Sequence, residues 1–294
     1  MTAPVSAFTG KPSIGRDTQL CMSLSGRPGN AGSRLHNTLY GRLGLDYVYK
    51  SFTTTDLPAA IGGIRALGIR GCAISMPFKE AVIPLLDGLE GSARAIDSVN
   101  TIVNDDGVLT GYNTDYTAVR DLVARRGIDP ATPFVLRGSG GMAKAVVAAL
   151  RDLGFRDGTV VARNAKAGPA LAEQYGFRWL PELPEQGAPM LINVTPLGME
   201  GPQADELAFP VEQIAACQIA FDVVAQPAET PFIQAALAAG KTVISGAEVI
   251  VLQAVEQFVL YTGIRPDADA IIDAATFAHG PNVATRLRDA VCNG

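Results

Sequence analysis

Short apolar runs and stretches of helical periodicity alternate along residues 133–245, and this alternation constrains the fold more than any other feature of the sequence. The apolar runs predict strands at 133–136, 159–162, 190–193, 219–224 and 241–245. The stretches between them predict helices from residue 142 onwards, at 167–175, where Gly176 ends the helix, and at 231–239. Such alternation is typical of a parallel sheet with helices on both faces, which binds ligands at the carboxyl ends of its strands.

A glycine-rich turn joins the first of these strands to the first helix. It reads Gly138-Ser139-Gly140-Gly141-Met142-Ala143. Glycines let the backbone come close to a phosphate, and the first helical turn offers it N–H groups and the positive end of a dipole. The turn therefore predicts a nucleotide cofactor. Because Ala143 stands where the third glycine of the GxGxxG pattern would be, a tight turn that binds nothing stays open as the alternative.

The first hundred residues predict a second α/β layer with its own core. Strands are expected at 19–24, 48–52 and 71–75, and helices at 33–43, 57–67 and 79–86. Residues 248–261 predict a long apolar helix. A chain of 294 residues with 48% hydrophobic content can bury two ordinary cores. We therefore expect an α/β protein of two domains.

Charge, hydropathy and cysteine spacing exclude several classes of protein. A net charge of −5 with 18% charged residues argues against a nucleic-acid-binding protein, which would need a strongly basic surface. No apolar stretch approaches the roughly 20 residues that span a bilayer, and the N-terminus lacks the apolar centre of a signal peptide. Cys21, Cys72, Cys217 and Cys292 are too far apart for a CxxC metal site or a disulfide framework. We expect a soluble, cytoplasmic protein without a metal, in which Cys21 and Cys72 are small buried hydrophobes.

Five motifs follow one another in the order typical of one enzyme family. The motifs are Ser75-Met76-Pro77-Phe78-Lys79-Glu80, Asp97-Ser98-Val99-Asn100-Thr101, Gly111-Tyr112-Asn113-Thr114-Asp115, Asn193-Val194-Thr195-Pro196-Leu197-Gly198-Met199 and Gln253-Ala254. In these motifs, with the glycine-rich turn among them, the chain resembles the shikimate dehydrogenase family.

The resemblance implies a two-domain NADP-dependent oxidoreductase, monomeric or homodimeric. Residues 1–114 would be the substrate-binding catalytic domain, residues 115–247 a Rossmann-type NADP-binding domain with a doubly wound parallel sheet, and residues 248–294 helices that complete the catalytic domain. The implied substrate is a small cyclic hydroxy acid. Hydride would move between the nicotinamide and a ring carbon that is a ketone in 3-dehydroshikimate and an alcohol in shikimate.

Ketone reduction explains why a lysine and a carboxylate stand in these motifs. Hydride that reaches a carbonyl carbon leaves negative charge on the oxygen, which a positioned ammonium can stabilise and protonate. We expect Lys79 and Asp115 to be this catalytic pair. The alternatives are an exposed first-turn lysine and an N-cap for a helix beginning near Tyr116.

The resemblance also implies which residues hold the substrate. Asn100 and Gln253 would hydrogen-bond its hydroxyls, with a turn asparagine and a helix-surface glutamine as the alternatives. Ser75 stands where the family has threonine. Asn30 and Gly32 stand where typical members have the two serines that hold the shikimate carboxylate. These departures resemble the divergent, shikimate dehydrogenase-like branch of the family and leave shikimate, quinate or a relative open as the substrate.

We expect the residues that select between NAD and NADP to follow the second strand of the nucleotide-binding segment. NAD-selective sites place an acidic residue there, whereas this sequence has Arg163, Asn164 and Lys166, which can bind the 2′-phosphate of NADP. A further arginine of the family is Ala167 here, so the discrimination can be moderate, and a solvated basic turn is the alternative. The resemblance adds Thr195 and Val223 to the cofactor-binding residues.

Other functions remain open on the sequence. A quinate or shikimate dehydrogenase that uses NAD is one alternative, and a binding or regulatory homologue of low activity is another. The catalytic pair argues against the latter, because a sensor needs no proton donor. A methylene-tetrahydrofolate dehydrogenase or a methyltransferase could use the same glycine turn, but the order of the motifs argues against both.

Overall fold

The structure is a computed structural model that describes residues 13–291. The N-terminal segment, which we expect to lack a signal peptide, and Cys292 lie outside the described residues. The described chain forms two compact units. One unit runs up to Thr114 and includes Ala254–Val291, and the other comprises Asp115–Gln253.

The first unit contains a six-stranded mixed sheet in the order β2-β1-β3-β5-β6-β4. Strand β1 pairs in parallel with β2 and β3, whereas β5 is antiparallel to both β3 and β6. Two further helices come from the end of the chain, and residues 254–262, the second half of a helix that begins at Gly246, also belong to this unit. The elements are β1 Gln19–Leu24, α1 Ala31–Arg42, β2 Tyr47–Phe52, α2 Leu57–Ala66, β3 Gly71–Ile74, α3 Phe78–Ala81, β4 Gly88–Leu89, α4 Gly91–Arg94, β5 Thr101–Asp105, β6 Val108–Tyr112, α11 Ala268–His279 and α12 Asn282–Val291.

The antiparallel hairpin β5–β6 was not predicted, although its turn carries a sequence signal. Asp106 and Gly107 both have positive φ, 51° and 90°, which is the backbone of the two-residue hairpin turns that favour Asp-Gly. The Oδ1 atom of Asn104 accepts a hydrogen bond from the N–H of Gly107 and closes the turn. The hairpin adds residues 101–112 next to β3 in a sheet whose first three strands are parallel, and β4 pairs with its outer strand.

The helix predicted at 79–86 is wrong in length. The structure has the four-residue α3, followed by a 3-10 turn at Ile83–Leu85. Pro84 has no N–H to donate to the carbonyl of residue 80, so an α-helix cannot continue through it. The prediction for the cysteines is confirmed, because Cys21 and Cys72 are fully buried in β1 and β3.

The second unit contains a six-stranded sheet in which every pairing is parallel, in the order β12-β11-β10-β7-β8-β9. This confirms the doubly wound α/β fold. The strand order reverses at β7, and a crevice opens at the carboxyl ends of the strands on either side of such a point. The elements are α5 Thr114–Arg125, β7 Phe134–Arg137, α6 Gly141–Asp152, β8 Gly158–Val161, α7 Ala167–Tyr175, β9 Arg178–Leu180, β10 Met190–Asn193, α8 Val211–Ala216, β11 Ile219–Asp222, α9 Pro231–Ala238, β12 Thr242–Ile244 and α10 Gly246–Thr262.

Helix α10 begins two residues earlier than predicted because Ser245 and Glu248 form a capping box. The Glu248 carboxylate accepts hydrogen bonds from the Ser245 backbone N–H at 2.7 Å and from its hydroxyl at 2.8 Å. Arg126 forms an ion pair with the same buried carboxylate at 2.5 Å. Neither α10 nor any other helix within residues 13–291 is long and apolar enough to cross a membrane.

Candidate functional site

A cavity of about 890 Å³ lies at the carboxyl ends of β7, β8 and β10 in the second unit, and we call it the glycine-loop pocket. It brings together six of the residues predicted to bind a cofactor. These are Gly138, Ser139, Gly140, Arg163, Asn164 and Thr195. Of the other predicted residues, Gly141, Met142 and Ala143 form the first turn of α6, which starts beside the pocket.

The glycines of this pocket have different roles. Gly138 has φ +127°, and a Cβ atom there would lie 2.7 Å from Cγ2 of Val194, so the close packing of two strand ends requires glycine. Gly140 has φ −83° and caps α6, and a Cβ atom on it would meet nothing within 4 Å. The space in front of Gly140 therefore lies at the start of a twelve-residue helix, where N–H groups and the helix dipole favour an anion.

The basic loop that follows β8 forms one side of the glycine-loop pocket. Arg163 is exposed and lines the pocket. Asn164 also lines it, while its Oδ1 atom accepts hydrogen bonds from the N–H groups of Lys166 and Ala167 and so holds the start of α7. Lys166 is exposed and is not among the described residues of the lining. Arg163 is thus the basic residue of this loop that the structure places in the pocket.

A buried carboxylate supports the other side of the pocket. The Nδ2 atom of Asn193 donates to Oδ1 of Asp222 at 3.0 Å, and the hydroxyl of Thr230 donates to Oδ2 at 2.6 Å. Burial raises the pKa of Asp222 to about 6, and these hydrogen bonds oppose that rise. Oδ1 of Asn193 accepts from the hydroxyl and N–H of Thr195. Asp222 therefore positions Thr195 through Asn193.

Val223 follows β11 directly and is half-buried. Its N–H donates to the carbonyl oxygen of Asn193 at 3.0 Å. The structure thus places it next to the strand end that carries Thr195, outside the lining of the glycine-loop pocket as far as the described residues go.

In the first unit, Ser75 and Lys79 lie where β3 passes into α3. The N–H of Ser75 donates to the carbonyl of Leu24, and its own carbonyl accepts from the N–H of Phe78 at 2.9 Å, which starts the short helix. Lys79 is half-buried, and its carbonyl accepts a hydrogen bond from the N–H of Val99 at 2.9 Å. Backbone contacts therefore tie the lysine motif to the motif that contains Asn100.

Asn100 is almost fully buried, with 2% of its surface exposed. Its Oδ1 atom accepts hydrogen bonds at 2.8 Å from the N–H of Thr114 and from the hydroxyl of Thr101. Its Nδ2 atom donates to the hydroxyl of Thr114 at 2.9 Å. The helix expected to begin near Tyr116 in fact begins at Thr114, so Asp115 lies in its first turn and not at its N-cap.

Sequence reasoning missed a second glutamine of α10. Nε2 of Gln257 donates to the hydroxyl of Thr101 at 3.1 Å and to the carbonyl of Asn100 at 3.4 Å. The predicted residue Gln253 is half-buried, and its Nε2 donates to the carbonyl of Ile250 in the same helix. The four-residue spacing of the two glutamines, one turn of an α-helix, is the signal that could have identified Gln257.

Asn30 is an exposed residue of the first unit. It precedes α1 and lines a second cavity of about 590 Å³. Ser75 and Asn100 are not among the described residues of that lining. The lining consists of Ile14, Asn30, Ser33, Arg34, Asn37, Thr38, Gly41, Val48 and Phe277.

Comparison with known proteins finds relatives that match nearly the whole chain. Residues 31–102 match the shikimate dehydrogenase substrate binding domain. A shikimate dehydrogenase-like protein of Haemophilus influenzae is 56% identical over 266 residues, which is 90% of this chain and 98% of the relative.

Solved structures with the same fold contain different ligands. A shikimate 5-dehydrogenase of Thermus thermophilus, in complex with NADP(H) and shikimate, superimposes with a TM-score of 0.79 at 30% identity, over 88% of this chain and 99% of that one. A quinate dehydrogenase of Corynebacterium glutamicum, in complex with NAD, gives a TM-score of 0.78 at 27% identity, over 87% and 98%. Structures with this fold therefore include a complex with NADP(H) and a complex with NAD, in a shikimate and a quinate dehydrogenase respectively.

Proposed function

Because this chain belongs to the shikimate dehydrogenase family of oxidoreductases, we propose that it interconverts 3-dehydroshikimate and shikimate, or a closely related pair of cyclic acids, with NADP. The observation that carries the proposal is the glycine-loop pocket, in which Gly140 and Arg163 line one cavity. Gly140 offers space for a pyrophosphate at the start of α6, and Arg163 offers a guanidinium to a 2′-phosphate.

The bound nicotinamide would supply or accept the hydride. In the reducing direction, Lys79 would stabilise the negative charge that develops on the carbonyl oxygen and donate the proton to it. Asp115 would orient this ammonium. We propose that Asn100 acts chiefly by positioning, since its side-chain oxygen holds Thr114, the residue before Asp115.

We propose NADP as the cofactor because of the positive charge of the loop after β8. An acidic residue at this place would accept hydrogen bonds from a ribose 2′-OH and repel a 2′-phosphate, and the loop carries Arg163 and Asn164 instead. The NADP(H) complex of the Thermus thermophilus enzyme supports this choice.

A quinate-type dehydrogenase is the second candidate, favoured by the altered residues at the start of α1. Asn30 and Gly32 supply neither of the two hydroxyls expected to hold the shikimate carboxylate. A Cβ atom on Gly32 would lie 3.6 Å from the hydroxyl oxygen of Tyr49, an ordinary contact, so the backbone at this position accepts a Cβ atom without a clash.

Initial rates with shikimate and quinate, each with NADP and NAD, test these proposals. We expect turnover of shikimate with NADP, at a KM above that of a variant carrying Asn30→Ser and Gly32→Ser. Preference for quinate in the unmodified protein would favour the second candidate. Absence of turnover with any pair would favour a binding or regulatory protein.

A further inference from the structure

Strand β7 ends on a charged residue that the cofactor motifs do not include. The burial of the strand is complete over its first three residues, and Arg137, directly before Gly138, is half-buried. The Arg137 guanidinium donates a hydrogen bond from Nη1 to the carbonyl oxygen of Ala208, in the segment between β10 and α8. Its side chain therefore reaches across the carboxyl end of the sheet, and it lines the glycine-loop pocket.

Two guanidinium groups thus share one pocket. Burial lowers the pKa of Arg137, the positive charge of Arg163 lowers it further, and Glu206, which also lines the pocket, opposes both effects. Arginine stays charged at neutral pH even so. Two like charges that interact across a cavity are stabilised when an anion binds between them.

We propose that Arg137 is a second residue for cofactor specificity, which binds the 2′-phosphate of NADP together with Arg163. The inference rests on the proposed function, and it extends the 2′-phosphate site to a residue outside the loop after β8. The contact with Ala208 holds one nitrogen of the guanidinium and restricts its orientation, and the residue lines the pocket. A planar guanidinium presents parallel N–H donors that match phosphate oxygens. Arg137 would supply the charge that Ala167 does not.

We expect Glu206 to oppose the binding of a phosphate in this pocket. Its carboxylate attracts Arg137 and would repel a phosphate dianion, so removing its charge should strengthen phosphate binding.

Isothermal titration with two mononucleotides tests the proposal without any turnover. Arg137→Met should weaken the binding of 2′,5′-ADP about tenfold or more and change that of 5′-AMP by less than about twofold. Arg178→Met is the matched control. Arg178 is exposed, is paired with Asp157, and does not line the described part of the pocket, so the affinity for 2′,5′-ADP should not change.

Equal weakening for both ligands would overturn the assignment, since it would mean that Arg137 acts on the adenine or on the segment around Ala208. If Arg137→Met fails to fold, Arg137→Gln decides instead, because its amide can still donate to the carbonyl of Ala208 while the charge is lost: weaker binding of 2′,5′-ADP supports the proposal and unchanged binding refutes it. Failure of the proposed function is a separate result. Tight binding of 2′,5′-ADP without oxidation of any cyclic hydroxy acid would refute the dehydrogenase and leave the assignment of Arg137 standing.

Discussion

The side-chain oxygen of Asn100 accepts a hydrogen bond from the backbone N–H of Thr114 at 2.8 Å. Thr114 is the first residue of α5, so a residue fourteen positions earlier in the chain satisfies a backbone donor that the helix itself leaves open. Asp115 follows at once. The position of the proposed catalytic carboxylate is therefore tied to a buried polar network that includes Thr101 and Gln257.

Asn100→Ala should lower both stability and kcat. Loss of the acceptor leaves the Thr114 N–H buried without its partner, which should reduce the free energy of unfolding by about 1–3 kcal/mol. Asn104→Ala is the matched control, because Asn104 is also buried and bridges Ile64 and Gly107 at the hairpin turn. We expect denaturant unfolding to show a loss in both variants and steady-state kinetics to show a fall in kcat in Asn100→Ala alone. An equal fall in kcat in both would contradict the positioning role.

Lys79→Ala should lower kcat by on the order of 10²-fold or more, with a smaller effect on KM, because a positioned proton donor contributes chiefly in the transition state. Asp115→Asn should behave similarly. Lys50→Ala provides the comparison, since Lys50 is an exposed lysine of the same unit that packs over Phe52. Full activity in purified Lys79→Ala protein would remove this mechanism.

Two glycines of the same turn should respond differently to alanine. Gly138→Ala should reduce the free energy of unfolding by more than about 1 kcal/mol, because φ +127° and the contact with Val194 both exclude a side chain. Gly140→Ala should change it by less than about 0.5 kcal/mol, since its Cβ atom meets nothing in the structure. Its affinity for NADP should nevertheless fall, as measured by fluorescence or calorimetric titration. Unchanged affinity in Gly140→Ala would show that the pyrophosphate lies elsewhere.

Arg163→Ala should remove most of the preference for NADP over NAD, chiefly by raising the KM for NADP, by about tenfold for one charge-assisted contact. Lys166→Ala should have a smaller effect, because Lys166 is not among the described residues that line the pocket. The measurement is kcat/KM with each cofactor. Equal or better turnover with NAD in the unmodified enzyme would overturn the choice of NADP.

The stability of the second unit should rise as the pH falls from about 6 to 3.8 through the contribution of Asp222. In this range the folded protein keeps a proton on Asp222 that the unfolded chain releases, so the free energy of unfolding should gain about 1.4 kcal/mol per pH unit from this group. Asp222→Asn should abolish that gain. The difference between the urea midpoints of the two proteins, followed across this pH range, measures it.

His36 in the first unit should give the opposite slope and serves as the comparison. Burial lowers its pKa from 6.5 to about 3, and its ring stacks on that of Tyr49 at 4.4 Å. Below pH 6.5 the unfolded chain takes up a proton that the folded chain does not, so stability is lost as the pH falls. His36→Phe should flatten this loss. A slope for the Asp222 pair of the same sign as that for the His36 pair would contradict the assignment.

The sequence by itself determined those strands and helices whose signals come from residues close together in the chain. Period and turn chemistry placed the strands Gln19–Leu24 and Met190–Asn193 and the helix Ala167–Tyr175 at their observed bounds, with Gly176 in the left-handed conformation that ends that helix. Buried strands read as apolar runs, and helix ends carry their own signals, so local physics suffices for such elements. The ordered motifs identified the family, which the comparisons confirm.

Tertiary structure alone decided which distant residues share a site. Asn100 accepts hydrogen bonds from Thr114, 14 positions away, and from Gln257, 157 positions away. Arg137 donates a hydrogen bond to Ala208, 71 positions away. No periodicity or spacing encodes such pairs, because each depends on how sheets and helices pack after they form. A residue such as Arg137, at the end of an otherwise apolar strand, acquires its partners only when the neighbouring strand end and its loop have packed beside it.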